Sequence, residues 1–289
     1  MIVLQDDVHE DIIAAFPILR LNESLIVAAG TLYLYDWFLT IDLEINLVWP
    51  SNLSAIKVLY FIQRYSPLFD TVLLVIGHQL FFSSDSIEQC ARGFKSAGWL
   101  FLGGVAISEV VLTCRCIAVW GNTKRNLYIF LSLLVLVCWV PCFVIMEVYL
   151  KSLTFNSVPY PPIHCFTPEG SHILYLCWGL IAVYDAGTLA VMVIAGIRHS
   201  VPGCRQSTLF QVVYRDGALY YLYMFVLSAS NVIVVLTLPS GYATLMASLE
   251  RVIHSVLTSR VVLHIRETAH HEPSTQPSRG VSVSRSGLS

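Results

Sequence analysis

The sequence predicts an all-α membrane protein, a seven-transmembrane helix bundle with its N-terminus outside and its C-terminus in the cytosol. Three observations carry that prediction. Only 12% of the 289 residues are charged and 56% are hydrophobic, with a mean hydropathy of +0.68, whereas soluble domains carry about 25% charged residues. Apolar runs long enough for a bilayer core, which takes about 20 residues per helix, recur seven times. Finally, basic residues divide unevenly between the two sides that those runs define.

The seven runs lie at residues 25–49, 56–82, 96–120, 127–150, 172–197, 217–239 and 242–265. Helix is the state that fits them, because lipid offers no partner to unpaired backbone groups. Trp49, Trp99, Trp120, Tyr149, Tyr220 and Tyr242 mark run ends, as expected of an aromatic belt at headgroup level. Pro67 and Pro141 lie inside the second and fourth runs, where a ring without an N–H predicts a local kink. Residues 1–24 form a short acidic segment with Asp6, Asp7, Glu10 and Asp11 and no basic region typical of a signal peptide. Residues 266–289 are rich in Ser, Pro, His and Arg and predict a disordered cytosolic tail. The membrane domain therefore spans 25–265.

Orientation follows from the basic residues. With the N-terminus outside, Lys57, Arg64, Arg115, Lys124, Arg125, Arg198, Arg205, Arg215, Arg260, Arg266, Arg279 and Arg285 fall on cytosolic ends or loops. Arg20, Arg92, Lys95 and Lys151 fall on the outer side. Twelve against four decides it, and dropping the tail arginines leaves the sign unchanged. The chain is thus expected to be an integral, multi-pass protein of the plasma membrane or an endomembrane. A net charge of −2 lacks the basic footprint of nucleic-acid binding.

Eight cysteines are present, and Cys114, Cys116, Cys138, Cys142, Cys177 and Cys204 fall in spans or on the cytosolic side. Cys90 and Cys165 sit in outer loops, where an oxidising exterior permits a disulfide. A Cys90–Cys165 bridge would pin the loop between the fourth and fifth spans over the mouth of the bundle.

Ionisable residues at bilayer depth cost at least about 2.5–3.5 kcal/mol each, so each needs a partner or a purpose. Asp36, Thr40 and Glu44 recur every fourth residue and share one face of the first span. At 1.5 Å per residue, Asp42 and Glu44 lie about 7–10 Å inside the boundary at Trp49, and Arg64 about 12 Å inside its own end. An ion pair of Arg64 with Asp42 or Glu44 is expected, fixing helix register. Nearer the midplane lie Asp36, Asp70, Glu109, Asp185, Glu250, Arg251 and His254. Five acids against one deep arginine predict protonated carboxyls or a hydrated cavity that holds a cation, relays protons or binds a cationic ligand. Asp36, Asp70, Glu109, Asp185, Glu250 and His254 are the candidate interior site.

Several functions find no support in the residues. The seventh span has no Lys for a retinal Schiff base, and His78, His172 and His254 are too scattered for a zinc site. No Ser-His-Asp arrangement or phosphate-cradling glycine loop appears. Neither an enzyme, a cofactor nor a metal is expected. Tyr35-Asp36 and Tyr184-Asp185, with 111–115 and 256–260, hint at a three-plus-one-plus-three repeat of the kind found in some transporters.

The chain resembles a family of fungal membrane proteins, mostly from mushroom-forming species, classed as a domain of unknown function. The resemblance rests on Tyr35-Asp36-Trp37, on Asp42, Glu44 and Trp49, and on Arg64-Tyr65. It continues through Arg115-Cys116-Ile117-Ala118-Val119-Trp120-Gly121-Asn122 and Ser259-Arg260-Val261-Val262-Leu263-His264-Ile265-Arg266, where His264 stands in place of an expected Asn. It implies the seven-helix architecture and no particular activity.

The leading functional expectation is a receptor-like protein with a small-molecule ligand and a cytosolic signalling partner. The outside N-terminus, the outer staple, the basic loop at 198–216 and the serine-rich tail favour it. Against it, the third span ends Thr113-Cys114-Arg115-Cys116 and the seventh lacks an Asn-Pro signature, so no familiar G-protein-coupling motif is present. The alternative is a small-solute or ion-coupled transporter, favoured by the deep carboxylates and the repeat.

Overall fold

The computed structural model describes residues 2–72, 87–120, 125–154, 156–160, 163–166, 173–199, 208–237 and 246–271. Within these, the side chains of 2–16, 18, 19, 72, 87, 90, 156–160, 163–166, 199, 208–217 and 269–271 lie outside the description. Seven α-helices run in order: α1 Ile2–Leu47, α2 Ala55–Pro67, α3 Ile87–Trp120, α4 Arg125–Ser152, α5 Leu174–His199, α6 Thr208–Thr237 and α7 Ala247–His271. Between α4 and α5 lies a two-stranded antiparallel hairpin, β1 Asn156–Tyr160 and β2 Ile163–Phe166. That hairpin is a local addition to an otherwise all-helical architecture. A connection too long to cross the bundle end directly pairs its own backbone, as groups outside a helix must.

Five helical segments are long and apolar enough to cross a membrane: Arg20–Leu47, Ala91–Trp120, Arg125–Ser152, Leu174–Arg198 and Ala218–Thr237. Their outer faces expose Phe38, Val137, Val144, Val183, Ile197, Ile233 and Leu236. A soluble monomer rarely exposes contiguous apolar patches beyond a few hundred Å², so this is an α-helical membrane protein. The remaining two expected spans fail the same measure for different reasons. The second is described only to Val72, and α7 carries Glu250, Arg251, Arg260, Arg266 and Glu267.

Two boundaries differ from the sequence reading. Helix α1 begins at Ile2 and runs unbroken into the first span, and α7 continues past Ile265 to His271. Proline acts differently at its two expected positions. Helix α4 runs through Pro141 without interruption. At Pro67 the α-helix ends, and a π-helical turn follows at Leu68–Val72. Pro67 has no N–H for the carbonyl of Gln63, four residues earlier. That carbonyl instead accepts from Ser255 Oγ at 3.2 Å and Ser66 Oγ at 3.3 Å. The π turn swings Asp70 and Thr71 into buried positions.

The bundle has an apolar side and a polar side. On the apolar side α3, α4 and α5 interlock through Leu102, Val105, Trp139, Met146, Trp178 and Ile181. On the polar side α7 is enclosed by α1, α2, α3 and α6. Its buried residues include Glu250, Arg251, His254, Ser255, Thr258 and Ser259. An almost wholly enclosed helix need not be hydrophobic all round if each neighbour supplies a polar partner. That is the case here.

Candidate functional site

Partners to α7 are distributed along its length. Near its start Arg251 Nε meets Asp70 Oδ2 at 2.9 Å, and Nη2 donates to Ser66 Oγ. Thr71 Oγ1 donates to the other Asp70 oxygen at 3.0 Å. Gly104 on α3 faces this pair, and a Cβ there would intrude on the Arg251 guanidinium. A side chain at 104 would have to displace that guanidinium. Farther along, Gln63 clasps α7 by donating from Nε2 to Ser255 O at 2.9 Å. Arg260 Nε reaches Asp36 Oδ1 on α1 at 2.6 Å, and Arg266 Nη1 donates to Leu47 O and Ser51 Oγ.

A second set of bonds ties α1 to α2. Arg64 Nε lies 2.5 Å from Glu44 Oε2, and Arg64 Nη2 donates to Thr40 Oγ1 at 2.8 Å. Tyr65 OH and Trp49 Nε1 both donate to Glu44 Oε1. Tyr33 OH donates to the Arg64 carbonyl at 2.8 Å. Glu44 is the partner of Arg64; Asp42, the other expected choice, is exposed. The helical period explains the difference, since Glu44 shares the face of Asp36 and Thr40 while Asp42 lies two residues away on another. A concavity of about 460 Å³ lined by Trp49, Lys57, Phe61 and Tyr65 opens at this end of the bundle.

The third set sits at the junction of the two sides. Glu109 of α3, Asp185 of α5, Ser228 and Asn231 of α6, and Glu250 and His254 of α7 converge there, all buried. His254 Nδ1 lies 3.3 Å from Glu109 Oε1, and Nε2 lies 3.7 Å from Glu250 Oε1. Ser228 Oγ bridges Asp185 Oδ2 at 2.5 Å and Glu250 Oε1 at 3.0 Å, while Asn231 Nδ2 donates to Glu250 Oε2. One ligand atom each from Glu109, Asp185 and His254 lies within 4.8 Å of the others. The Glu109 and Glu250 carboxylates are the polar partners of the His254 ring nitrogens among the described residues.

The candidate interior acids therefore separate into two kinds. Asp36 and Asp70 are each matched to an arginine, whereas Glu109, Asp185 and Glu250 gather about one imidazole. Arg251 is fully enclosed, and Arg260 extends its long side chain inward from a half-exposed position. Arg251 stood in the midplane group, but pairing with Asp70 required the π turn, which leaves no simple periodicity in the sequence. Ser228 and Asn231 went unnoticed, although their spacing of three places both on one face of α6. The scattered-histidine objection to a metal concerned three histidines, and the observed donor set needs only His254. The side chains of Cys90 and Cys165 lie outside the described residues; the backbone pairs Cys165 with Ser157 across the hairpin. Cys116, Cys138, Cys142 and Cys177 are buried free thiols, and Cys114 is a half-buried one.

The two tyrosines of the expected repeat have unequal surroundings. Tyr35 is 62% exposed, whereas Tyr184 is buried beside Thr113. No curated protein and no solved structure matches the chain. Residues 24–69 match the family described as Family of unknown function (DUF6533), a segment that contains the Glu44–Arg64 clasp between α1 and α2 and stops short of the His254 cluster.

Proposed function

We propose that the protein is a receptor-like, seven-span membrane sensor whose input is the buried cluster about His254 and whose output is its cytosolic face. The single observation that carries this reading is the position of α7. It bears His254 within the cluster, then, nearly two turns on, Arg260, which holds Asp36 within α1, and, over three turns on, Arg266, which holds the end of α1 at Leu47. A change in packing around His254 is thereby coupled through one rigid helix to the end of the bundle that the basic residues place in the cytosol. The apolar run at 56–82, which begins with α2, and the charged α7 complete the proposed count of seven. Arg198 stacking on Trp120 at 5.1 Å joins the ends of α5 and α3 beside the basic loop at 198–216. That loop is the expected contact for a signalling partner, and a Cys90–Cys165 bridge is the expected outer staple.

A cation- or proton-coupled transporter is the second reading, favoured by three carboxylates around one imidazole. Two measurements on the full chain separate the readings. In proteoliposomes under an imposed pH gradient, a lumenal pH dye should report no flux beyond empty liposomes for a sensor. Flux abolished by Asp185→Asn would establish the transporter instead. In cells, a photo-crosslinker at Gln206 should capture a defined cytosolic partner whose yield changes in His254→Gln. No partner, or a yield indifferent to His254, would count against signalling.

A further inference from the structure

The cluster has an unbalanced charge inventory. Glu109, Asp185 and Glu250 can supply three negative charges, against one from a protonated His254. The nearby arginines are engaged elsewhere, Arg64 with Glu44, Arg251 with Asp70 and Arg260 with Asp36. Unpaired buried charge is costly, so it is neutralised by protons or by a cation. The two nitrogens of His254 help to choose between these. The residue is fully enclosed and aimed into the cluster, and its nitrogens face carboxylate oxygens of Glu109 at 3.3 Å and Glu250 at 3.7 Å. A purely protonic network would draw those contacts in toward the roughly 2.7–2.9 Å of a charge-assisted hydrogen bond.

The two sides of the imidazole also differ. Nδ1 faces Glu109, the residue that joins Asp185 and His254 in the close donor set. Nε2 faces Glu250, whose carboxylate is already fixed by Ser228 and Asn231. This is the arrangement of a metal-bound histidine, one nitrogen toward the ion and the other N–H toward an anchored carboxylate.

We propose that Glu109, Asp185 and His254 Nδ1 form an intramembrane site for a divalent transition-metal ion, with Glu250 orienting His254 from the opposite side. One imidazole and two carboxylates suit zinc or a similar borderline ion better than calcium or magnesium, which prefer oxygen alone. Glu109 and Asp185 balance its charge, and the third carboxylate, Glu250, keeps the hydrogen bonds of Ser228 and Asn231. The ion would crosslink α3, α5 and α7, and so join the apolar side of the bundle to the polar side. This deepens the sensor reading by naming the occupant of its input site.

The test uses the full chain purified in detergent, stripped with chelator and reloaded with Zn²⁺ or Co²⁺ alone. One tightly held ion per chain is expected, with a rise in unfolding temperature. Zinc-edge absorption should fit imidazole nitrogen and oxygen without sulfur, a readout that needs no variant. His254→Gln, Glu109→Gln and Asp185→Asn should each reduce affinity at least tenfold, while the tail variant His270→Ala/His271→Ala should bind normally. Absence of a stoichiometric ion in folded wild-type protein would overturn the site, as would sulfur ligation or loss of binding in the tail variant alone. Metal binding without partner capture at Gln206 would retain the site and remove the signalling reading; partner capture without metal would do the reverse.

Discussion

Arg251 and Asp70 form a 2.9 Å ion pair in which both side chains are almost wholly enclosed. Breaking such a pair from one side leaves an uncompensated charge, a loss of about 3–5 kcal/mol. Asp70→Leu and Arg251→Leu should therefore each lower thermal stability in detergent sharply. The double variant should recover most of the loss, because removing both charges together leaves none unpaired. An additive double variant would show that the two side chains are not coupled.

Solvent exposure predicts a ranking among the arginine pairs. Glu44→Gln, at the enclosed pair with Arg64, should cost several kcal/mol, of order 3–5. The Arg260 side chain is 45% exposed, and water screens its pair with Asp36, so Arg260→Gln should cost roughly 0.2–1 kcal/mol. Unfolding temperatures of the two variants, measured side by side, check the order.

The Gln63 carbonyl gives a test of proline chemistry. Ser255→Ala removes a hydroxyl donor from the acceptor that Pro67 leaves open, and should cost about 1 kcal/mol. In a Pro67→Ala background the restored N–H competes for the same oxygen, so Ser255→Ala should cost less. Equal cost in both backgrounds would mean that the missing N–H of Pro67 does not set the value of this bond; the Gln63 Nε2 bond to the Ser255 backbone carbonyl is kept in every variant.

Oxidised protein from intact membranes should yield a disulfide-linked Cys90–Cys165 peptide on non-reducing mapping. Two free thiols there would remove the outer staple, while leaving the buried thiols of Cys138, Cys142 and Cys177 unaffected.

How much of this was legible in the sequence depends on the physical signal involved. Apolar runs located α1, α3, α4, α5 and α6, because long lipid-facing helices must be apolar. Helical periodicity put Asp36, Thr40 and Glu44 on one face, and depth brought Arg64 near them. The i,i+4 spacing of Glu250 and His254 likewise marked a shared face. The pairing of Asp70 with Arg251 was not legible, since it depends on a π turn and on the space above Gly104. Nor could sequence spacing bring Glu109 and Asp185 to His254, because they come from three helices whose packing is a tertiary fact. The hairpin between α4 and α5 left little signal in the sequence, because its strands are short and show little alternation of polar and apolar residues.

The central structural reading is that α7, despite its charges, crosses the membrane as the enclosed axis of the bundle. Single-cysteine labelling tests it most directly, with a membrane-impermeant reagent applied to Ser240→Cys and Ser282→Cys in otherwise cysteine-free, sealed membranes. Ser240→Cys should react only from outside and Ser282→Cys only after the membrane is opened. If both positions label from the same side, α7 does not span.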